Sequence, residues 1–506
     1  MALSFRSLSI LTLASLGLAA TVAAPAQSQT LTEGQRNSLS VWYRDASRRA
    51  RGTWGIAIAD QRGKLLWSVA PETSLVPAST VKLFTTGFAR TVLGGDARRA
   101  TRVVGSGFID PLNGEWQGSW ALEMNGDPSF ENPSGVGPKL IDLAQQLATL
   151  GIRKIHGPMQ VQSADGPAFA IYPTAWSNRH WGRLFAPLIG TLTIHENVVN
   201  FTVRPGASSG KAPQLAAESP AGIGSLISIR ARTVPGRKSR LTLSATSSGG
   251  WVVGGTIGVS ARPRGFTAVA SDPKAVLAQA WATALVQAGI TWTQGGSATS
   301  RMPGPISTVL AEVNSPMLDS LASDVNRRSL NLGAELLLQW AGGRNAPEQL
   351  TAHVEEIAGL SEGLRLLDGS GLSYEDRASP LTFVSYLAKI PTTPGGRNFP
   401  LLLPANGVGT LRRLNSGLPG QGVVRAKTGT LGQVSNVTGY LGRQDGVLIV
   451  SVMYNGSNPS RARQLEWRLF QLLGADGTVI PSDVLTPESQ LGGSDETAPS
   501  DSTTVR

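Results

Sequence analysis

Ser79-Thr80-Val81-Lys82 places a serine three residues before a lysine, at the start of an apolar run that we expect to form a helix as far as Leu93. Residues at this spacing lie on one face of a helix, one turn apart. A lysine amine so placed can remove the proton of a serine nucleophile, as histidine does in other serine enzymes. The N–H groups at a helix N-terminus would also stabilise negative charge that develops during the reaction. The stretch therefore indicates a serine that is acylated at a helix N-terminus.

The S-x-x-K pattern alone is weak evidence, because the chain contains it three times. Ser208…Lys211 lies in a Gly- and Ser-rich turn, and Ser271…Lys274 contains Pro273 at a helix start. Neither pair is expected on a formed helical face. Taken alone, even the first pair would be interpreted as an N-cap serine followed by a surface lysine.

Two later motifs supply the other groups that an acylating serine needs. Ser329-Leu330-Asn331 is the one S-x-N sequence, and Lys427-Thr428-Gly429-Thr430 is the one K-T-G sequence. The second lies in the alternating run Val423–Thr430, which predicts a strand with Lys427 and Gly429 on one face. A glycine in a strand usually marks close approach by a ligand or another backbone, and an exposed strand edge could bind an extended peptide. Taken alone, the S-x-N motif would be interpreted as a polar pair before a helix, and the K-T-G motif as a lysine on an edge strand. Because they follow the first motif in this order, the three motifs together predict one acylating active site.

Other catalytic signatures are poorly supported. Gly206-Ala207-Ser208-Ser209-Gly210 matches G-x-S-x-G, but its flanking prolines leave no strand before it and no helix after it. The four histidines form no H-E-x-x-H motif, the chain has no cysteine, and it contains no Walker sequence. We therefore expect neither a metal site nor a cofactor. Asp368-Gly369-Ser370-Gly371-Leu372-Ser373 is interpreted as a turn.

The 506-residue chain is 41% hydrophobic, which fits a globular protein of two or three domains. Arg6, the apolar run from Leu8 to Ala24 and the A-x-A-like Ala24-Pro25-Ala26 predict a signal peptide over residues 1–26. An uncleaved anchor is the alternative. We expect an exported protein of the periplasm or cell envelope, with no transmembrane segment in the mature chain.

The net charge of +11 suggests nucleic acid as a partner, but the arginines form scattered pairs and no single stripe. We therefore expect no nucleic-acid partner. The charge is interpreted as a solvated basic surface, with attraction to anionic envelope polymers as the alternative.

Residues 30–99 and 267–480 are expected to form one α+β domain, an antiparallel sheet with a helical subdomain. Two strands joined by Asp60-Gln61-Arg62-Gly63 precede the first motif. Residues 100–266 contain many short β-like runs, which predict a large β-rich accessory insertion with one helix at Lys139–Leu150. Residues 481–506 are rich in Ser, Thr and Asp and predict a disordered tail. After the insertion we expect helices at Pro273–Ala288, Ser315–Asn326, Leu330–Trp340, Pro347–Ala358, Leu381–Lys389 and Pro459–Leu473, and strands at Gly422–Lys427, Ser435–Leu441 and Val447–Tyr454.

Together these stretches resemble the class C low-molecular-mass penicillin-binding proteins, the D-alanyl-D-alanine carboxypeptidase/endopeptidase family. Pro77–Thr86 is similar to the family's active-serine segment, and the long gap between the first two motifs is characteristic of it. The resemblance implies a penicillin-recognising transpeptidase/β-lactamase-like domain whose insertion forms accessory domains. Further stretches similar to the family are Gly126-Asp127-Pro128-Ser129, Glu196-Asn197-Val198-Val199, Asn331–Glu335, Asp368–Ser373, Gly407–Arg413 and Ala426–Thr430.

The resemblance also implies a reaction: hydrolysis of peptidoglycan at a D-Ala-D-Ala terminus or a D-alanyl cross-link. Ser79 would attack the carbonyl with Lys82 as base, and β-lactams would acylate Ser79 as substrate mimics. Lys82 must be partly neutral, so we expect burial and nearby cations to lower its pKa, with Lys427 as a candidate. Ser329 would relay a proton to the leaving amine, and Asn331 would orient Lys82 and the substrate amide.

Substrate binding is expected from the third motif. Lys427, Thr428 and Thr430 would engage the terminal carboxylate, with Gly429 in the same strand, and the N–H groups of Ser79 and Thr430 would hold the oxyanion. Asp165, after the strand Met159–Ser163, is the candidate for recognising the substrate's diamino acid. Leu330 departs from the family pattern, where aspartate is frequent.

Two other functions fit the sequence less well. A β-lactamase or esterase on the same fold is disfavoured because the chain has no Y-x-N and no convincing E-x-x-L-N-like segment. A catalytically silent protein that grips peptidoglycan is compatible with the fold, but the intact set of serines, lysines and asparagine argues against it.

Overall fold

The computed structural model describes most of the chain between the two expected terminal segments. The expected signal peptide 1–26 and the expected tail 481–506 both lie outside the described residues. Those residues are 30–134, 136–295, 307–414 and 417–479.

Helices dominate the two ends of the described chain, and short strands dominate its middle. The α-helices of the described residues are α1 Glu33–Arg49, α2 Val81–Leu93, α3 Leu140–Thr149, α4 Pro273–Gln287, α5 Leu318–Arg328, α6 Asn331–Gly342, α7 Ala346–Ala358, α8 Pro380–Lys389 and α9 Pro459–Leu472. The strands are β1 Gly52–Ala59, β2 Leu65–Val69, β3 Ala100–Ile109, β4 Trp116–Glu123, β5 Lys154–His156, β6 Val161–Ser163, β7 Gly166–Pro167, β8 Val198–Arg204, β9 Gln214–Ser219, β10 Ile227–Ile229, β11 Arg232–Val234, β12 Ser239–Ala245, β13 Trp251–Gly258, β14 Arg264–Val269, β15 Thr291–Thr293, β16 Thr308–Asn314, β17 Val424–Leu431, β18 Val434–Arg443 and β19 Gly446–Gly456.

One antiparallel sheet, in the order β17-β18-β19-β1-β2, joins the two ends of the described chain. Alternation along β1 separates its two faces. Trp54, Ile56 and Ile58 pack toward α1 and α9, whereas Ala57 and Ala59 pack toward α2 and α5–α8. Helices therefore cover both faces of the sheet, and β17 forms one edge. The expected α+β class with an antiparallel sheet and a helical subdomain is confirmed.

The inserted part has its own hydrophobic core and four further sheets among the described residues. Its elements extend beyond residue 266, because β16 pairs antiparallel with β3 and β15 pairs parallel with β5. Helix α4 also buries Trp281 and Leu285 in this core. These contacts favour an insertion that continues past the expected residue 266, and we propose that it ends near Asn314.

Most of the expected helices and strands occur within a few residues of their expected bounds. An N-terminal helix was not expected: α1 begins at a Thr32 cap whose side chain accepts a hydrogen bond from Gln35 N, and it packs on α9. The Thr-x-x-Gln capping box at Thr32 was the available signal. No helix in the described part of the chain is long and apolar enough to cross a bilayer.

Candidate active site

The first motif lies at the start of α2, behind the edge strand of the sheet. Ser79 occupies a single 3₁₀ turn, Ala78–Thr80, and Lys82 follows in the first turn of α2. Lys82 Nζ lies 3.0 Å from Ser79 Oγ, 2.6 Å from Asn331 Oδ1 and 2.6 Å from the Ser370 carbonyl oxygen. The predicted serine–lysine pair is therefore formed, and two further oxygens hold the amine.

Burial decides the charge state of Lys82, whose side chain has no exposed surface. Desolvation lowers its pKa to about 7, against the opposing attraction of Asp368, Glu335 and Asp376. The expected lowering by burial is thus supported. Burial, and after it repulsion by Lys82, lowers the pKa of Lys427, which is equally buried. The shift at Lys82 is caused by burial, and Lys427 is not its main cause.

The second motif connects α5 to α6. Ser329 ends α5 with a left-handed backbone, φ +59°, and Asn331 begins α6. This sharp turn points the two polar side chains at different lysines: Ser329 Oγ accepts a hydrogen bond from Lys427 Nζ at 2.9 Å, and Asn331 Oδ1 contacts Lys82. Leu330 packs against apolar side chains of the helical core, so an aspartate there would lose these contacts.

The third motif lies on the edge strand β17, as expected. Lys427 Nζ also donates to the Thr428 carbonyl oxygen at 2.8 Å. A Cβ at Gly429 would lie 2.6 Å from the Pro77 carbonyl oxygen and 3.2 Å from Thr80 N. Only glycine lets the strand pack this closely against the turn that carries Ser79, which is the close backbone approach that the sequence predicted.

Arg463 of α9 supports the same strand and was not found from the sequence. Its guanidinium donates to the Gly429 carbonyl oxygen at 2.7 Å and to Thr430 Oγ1 at 3.1 Å. It also pairs with the buried Glu466 at 2.6 Å. Because arginine can only donate, Thr430 Oγ1 accepts this bond and its own proton is directed to another acceptor.

The segment 366–379 supports the nucleophile from the other side. The composition of Asp368–Ser373 predicts a turn, and this turn serves the site: the Ser370 carbonyl accepts from Lys82, and Gly371, at φ +74°, packs against the Ala78–Ser79 peptide. Three buried carboxylates, Glu335, Asp368 and Asp376, accept its backbone N–H groups. Glu335 could have been suspected, since it follows Asn331 by one helical turn.

Part of the insertion also reaches the site. Asn331 Nδ2 donates to the Phe185 carbonyl oxygen at 2.8 Å. His180 stacks on Tyr374 with ring centroids 5.9 Å apart, which links the insertion to the segment 366–379. The insertion is therefore in direct contact with one of the groups that hold Lys82.

Asp165 lies apart from these groups. It is exposed in the turn between β6 and β7, and its charge acts on the partly buried Arg99. Within the described residues, no hydrogen bond or ion pair joins it to the Ser79–Lys82 pair.

On this scaffold one serine is hydrogen-bonded to a buried lysine, a second serine contacts a second lysine, and an edge strand lies beside them. Serine acyl-transfer enzymes that use lysine in place of histidine have this arrangement. The comparison with known families agrees. The chain belongs to the D-Ala-D-Ala carboxypeptidase 3 (S13) family, which matches residues 35–474. It is a low-molecular-mass class C penicillin-binding protein and a serine-type hydrolase of the D,D-peptidase class.

Relatives of known sequence and structure are similar over most of the chain. A D-alanyl-D-alanine carboxypeptidase of Actinomadura sp. (strain R39) is 26% identical over 426 residues, 79% of this chain and 77% of the relative. Penicillin binding protein 4 of Haemophilus influenzae has the same fold, with a TM-score of 0.66 and 21% identity over 85% of this chain and 99% of that one. The same protein in complex with a β-lactam gives a TM-score of 0.65 and 20% identity, over 85% of this chain and 99% of that chain.

Proposed function

We propose that the chain cleaves the bond after a D-alanine in cell-wall peptidoglycan, at a D-Ala-D-Ala terminus or a D-alanyl cross-link, through an acyl-enzyme on Ser79. The contact between Lys82 Nζ and Ser79 Oγ carries this proposal. The similarity to a D-alanyl-D-alanine carboxypeptidase supports the proposed cleaved bond, and membership of the family supports the substrate class.

The surroundings of Lys82 suit a general base. A neutral amine has two N–H bonds and one lone pair. Asn331 Oδ1 and the Ser370 carbonyl are acceptors, so they take the two N–H bonds. The lone pair then faces Ser79 Oγ and can accept its proton as the oxygen attacks the substrate carbonyl. A pKa of about 7 leaves a large fraction of the amine neutral near neutral pH.

Collapse of the tetrahedral intermediate requires a proton on the leaving amine. In our proposal Lys82 returns the proton through Ser329, whose hydroxyl is held by Lys427. The carbon–nitrogen bond breaks, the amine leaves, and the acyl group stays on Ser79. Water, deprotonated by the same base, then releases the shortened peptide and regenerates Ser79.

The oxyanion and the terminal carboxylate would be bound along β17. The N–H groups of Ser79 and Thr430 are the proposed oxyanion donors. Lys427, Thr428 and Thr430 would bind the carboxylate, with the Thr430 hydroxyl oriented by Arg463. Gly429 lets the strand approach the nucleophile, and Asp165 is the proposed partner of a free amine on the substrate's diamino acid.

We further propose that β-lactams acylate Ser79 and that the chain is exported to the periplasm or cell envelope after loss of residues 1–26. Two units are proposed for the mature chain: a catalytic domain of residues 30–99 and about 315–480, and the inserted accessory unit between them. A tail follows from residue 481.

The test is release of D-alanine from an N-acylated peptide ending in D-Ala-D-Ala, compared with the L-Ala-L-Ala peptide. We expect release from the first peptide alone, and none from either with Ser79→Ala. Rapid turnover of a β-lactam without D-alanine release would identify a β-lactamase instead. No release and no β-lactam consumption would favour a silent peptidoglycan-binding protein.

A further inference from the structure

Three acidic side chains lie behind the catalytic lysine and have almost no contact with solvent. Glu335, Asp368 and Asp376 are 5%, 1% and 0% exposed. Among the described residues, Lys82 on α2 is the cation whose attraction acts on this group directly. Three buried carboxylates beside a single amine cannot all be ionised without a large cost in free energy.

Backbone amides satisfy part of the cluster. Glu335 Oε1 accepts from Gly369 N at 3.1 Å and from Ser370 N at 2.9 Å. Asp368 accepts from the N–H groups of Ser370, Gly371 and Ser373. These bonds fix the segment whose Ser370 carbonyl holds Lys82, so the cluster determines where the amine lies.

One oxygen of the cluster lacks such a donor. Asp376 Oδ1 accepts from Leu367 N at 2.8 Å, but Asp376 Oδ2 is buried and no N–H or O–H group of the described residues donates to it. The carboxyl groups of Asp376 and Asp368 share a hydrogen bond. Two carboxylates can only accept, so their contact requires a proton between them.

Other charged groups near the cluster do not remove this requirement. Lys427, on β17, interacts with Lys82, and Arg463, on α9, acts on Lys427. Arg377 donates to the backbone carbonyl of Asp376, not to its side chain. Arg365 pairs with the exposed Glu375.

We propose that Glu335, Asp368 and Asp376 form a proton-holding cluster that positions Lys82. Asp376 keeps a proton that it donates to Asp368, and Glu335 keeps a proton of its own. These are positioning residues, because they contact the loop and the base and not the substrate. The inference rests on the proposed role of Lys82 as base, although its proton-holding part can be tested separately.

The direction of the ionisation equilibria agrees with this geometry. Burial raises the pKa of Glu335 to about 8 and raises the pKa of Asp376 well above its ordinary value, with the charge of Asp368 adding to both. The Glu335 charge in turn raises the pKa of Lys82. Because Glu335 keeps its proton below about pH 8, that charge is largely absent over the acidic limb of acylation, and a neutral amide in its place should leave the limb where it is.

The kinetic test measures the second-order rate constant for acylation by benzylpenicillin between pH 5 and 9. Asp376→Asn keeps a donor to Asp368, so we expect a rate constant within about twofold of the wild type and an unchanged limb. Glu335→Gln keeps the Oε1 acceptor and imitates the protonated acid, so we expect the limb to stay within about 0.3 pH unit of its wild-type position. Glu131→Gln, a carboxylate of the insertion that accepts from Leu140 N, is the matched control and should leave the limb in place.

An infrared measurement tests the held proton without any activity. At pH 7 the wild type should show the C=O stretch of protonated, buried carboxylic acids, and Asp376→Asn and Glu335→Gln should each lose part of this band. Loss of activity in Asp376→Asn, a limb that Glu335→Gln moves, or a C=O band that Asp376→Asn leaves unchanged would each overturn the proposal. If the wild type shows the stretch but is never acylated, the proposed function fails and the proton-holding cluster remains.

Discussion

A single methyl group at Gly371 should disable the nucleophile. A Cβ there would lie 1.9 Å from the Ala78 carbonyl oxygen and 3.1 Å from Ser79 N. Real Cβ atoms stay beyond 3.0 Å, so the loop and the Ala78–Ser79 peptide must separate by about 1 Å. Displacement of a reacting group by about 1 Å costs on the order of 100-fold in rate. The left-handed backbone, φ +74°, adds about 1 kcal/mol of destabilisation to Gly371→Ala.

Gly289 offers a matched control. Its φ is +76°, but a Cβ there would meet no atom within 4 Å. Gly289→Ala should therefore show the same backbone cost in urea unfolding and an unchanged rate constant for acylation by a fluorescent penicillin. Gly371→Ala should acylate about 100-fold more slowly in its folded form. If the two variants acylate at about the same rate, the claim that Gly371 sets the position of Ser79 is refuted.

The remaining predictions concern substrate binding and acid stability. Arg463→Gln is combined with Glu466→Gln so that no buried charge is left unpaired. This double variant should raise KM roughly tenfold for a peptide with a free terminal carboxylate and change kcat little. Steady-state kinetics that show a loss in kcat alone would contradict the role given to Thr430. Asp165→Asn should raise KM for stem peptides with a free side-chain amine and not for the N-acetylated peptides; equal effects on both would remove Asp165 from the site. His195 donates from Nδ1 to the Val198 carbonyl and accepts from Ser219 at Nε2, and burial lowers its pKa to about 4. As the pH falls, His195 is protonated in the unfolded chain before it is protonated in the folded one. The free energy of unfolding should therefore fall by up to about 3 kcal/mol between about pH 6.5 and about pH 4. The free energy of unfolding of His195→Gln should fall less over this range; an equal fall in pH-dependent urea unfolding would contradict this.

Local patterns predicted the elements that carry the site. The 3.6-residue and 2-residue periodicities predicted α2, α6 and β17, and the three motifs follow directly from residue spacing within each element. Lys82 beside Ser79 is a contact of this local kind. A glycine at position 429 was also predictable as a close approach, because a strand interior otherwise disfavours it.

Contacts between distant segments were not predictable in this way. β16 pairs with β3, far earlier in the chain. Nothing in the sequence pattern of either strand indicates its partner, so the later end that we propose for the insertion was not predictable. The contacts of Arg463 with β17 and of Ser370 with Lys82 join residues whose own sequence neighbourhoods contain no sign of each other. The carboxylate cluster shows the same limit: Asp368–Ser373 has the composition of a turn, and only its packing against α2 and α6 places it behind the base.

The most direct test of the central claim is the intact mass of the purified protein after incubation with benzylpenicillin, followed by peptide mapping. We predict one stable adduct, on the peptide that contains Ser79, and none with Ser79→Ala. An adduct on another serine would contradict the assignment of the nucleophile. No adduct together with no drug consumption would contradict the acyl-enzyme itself.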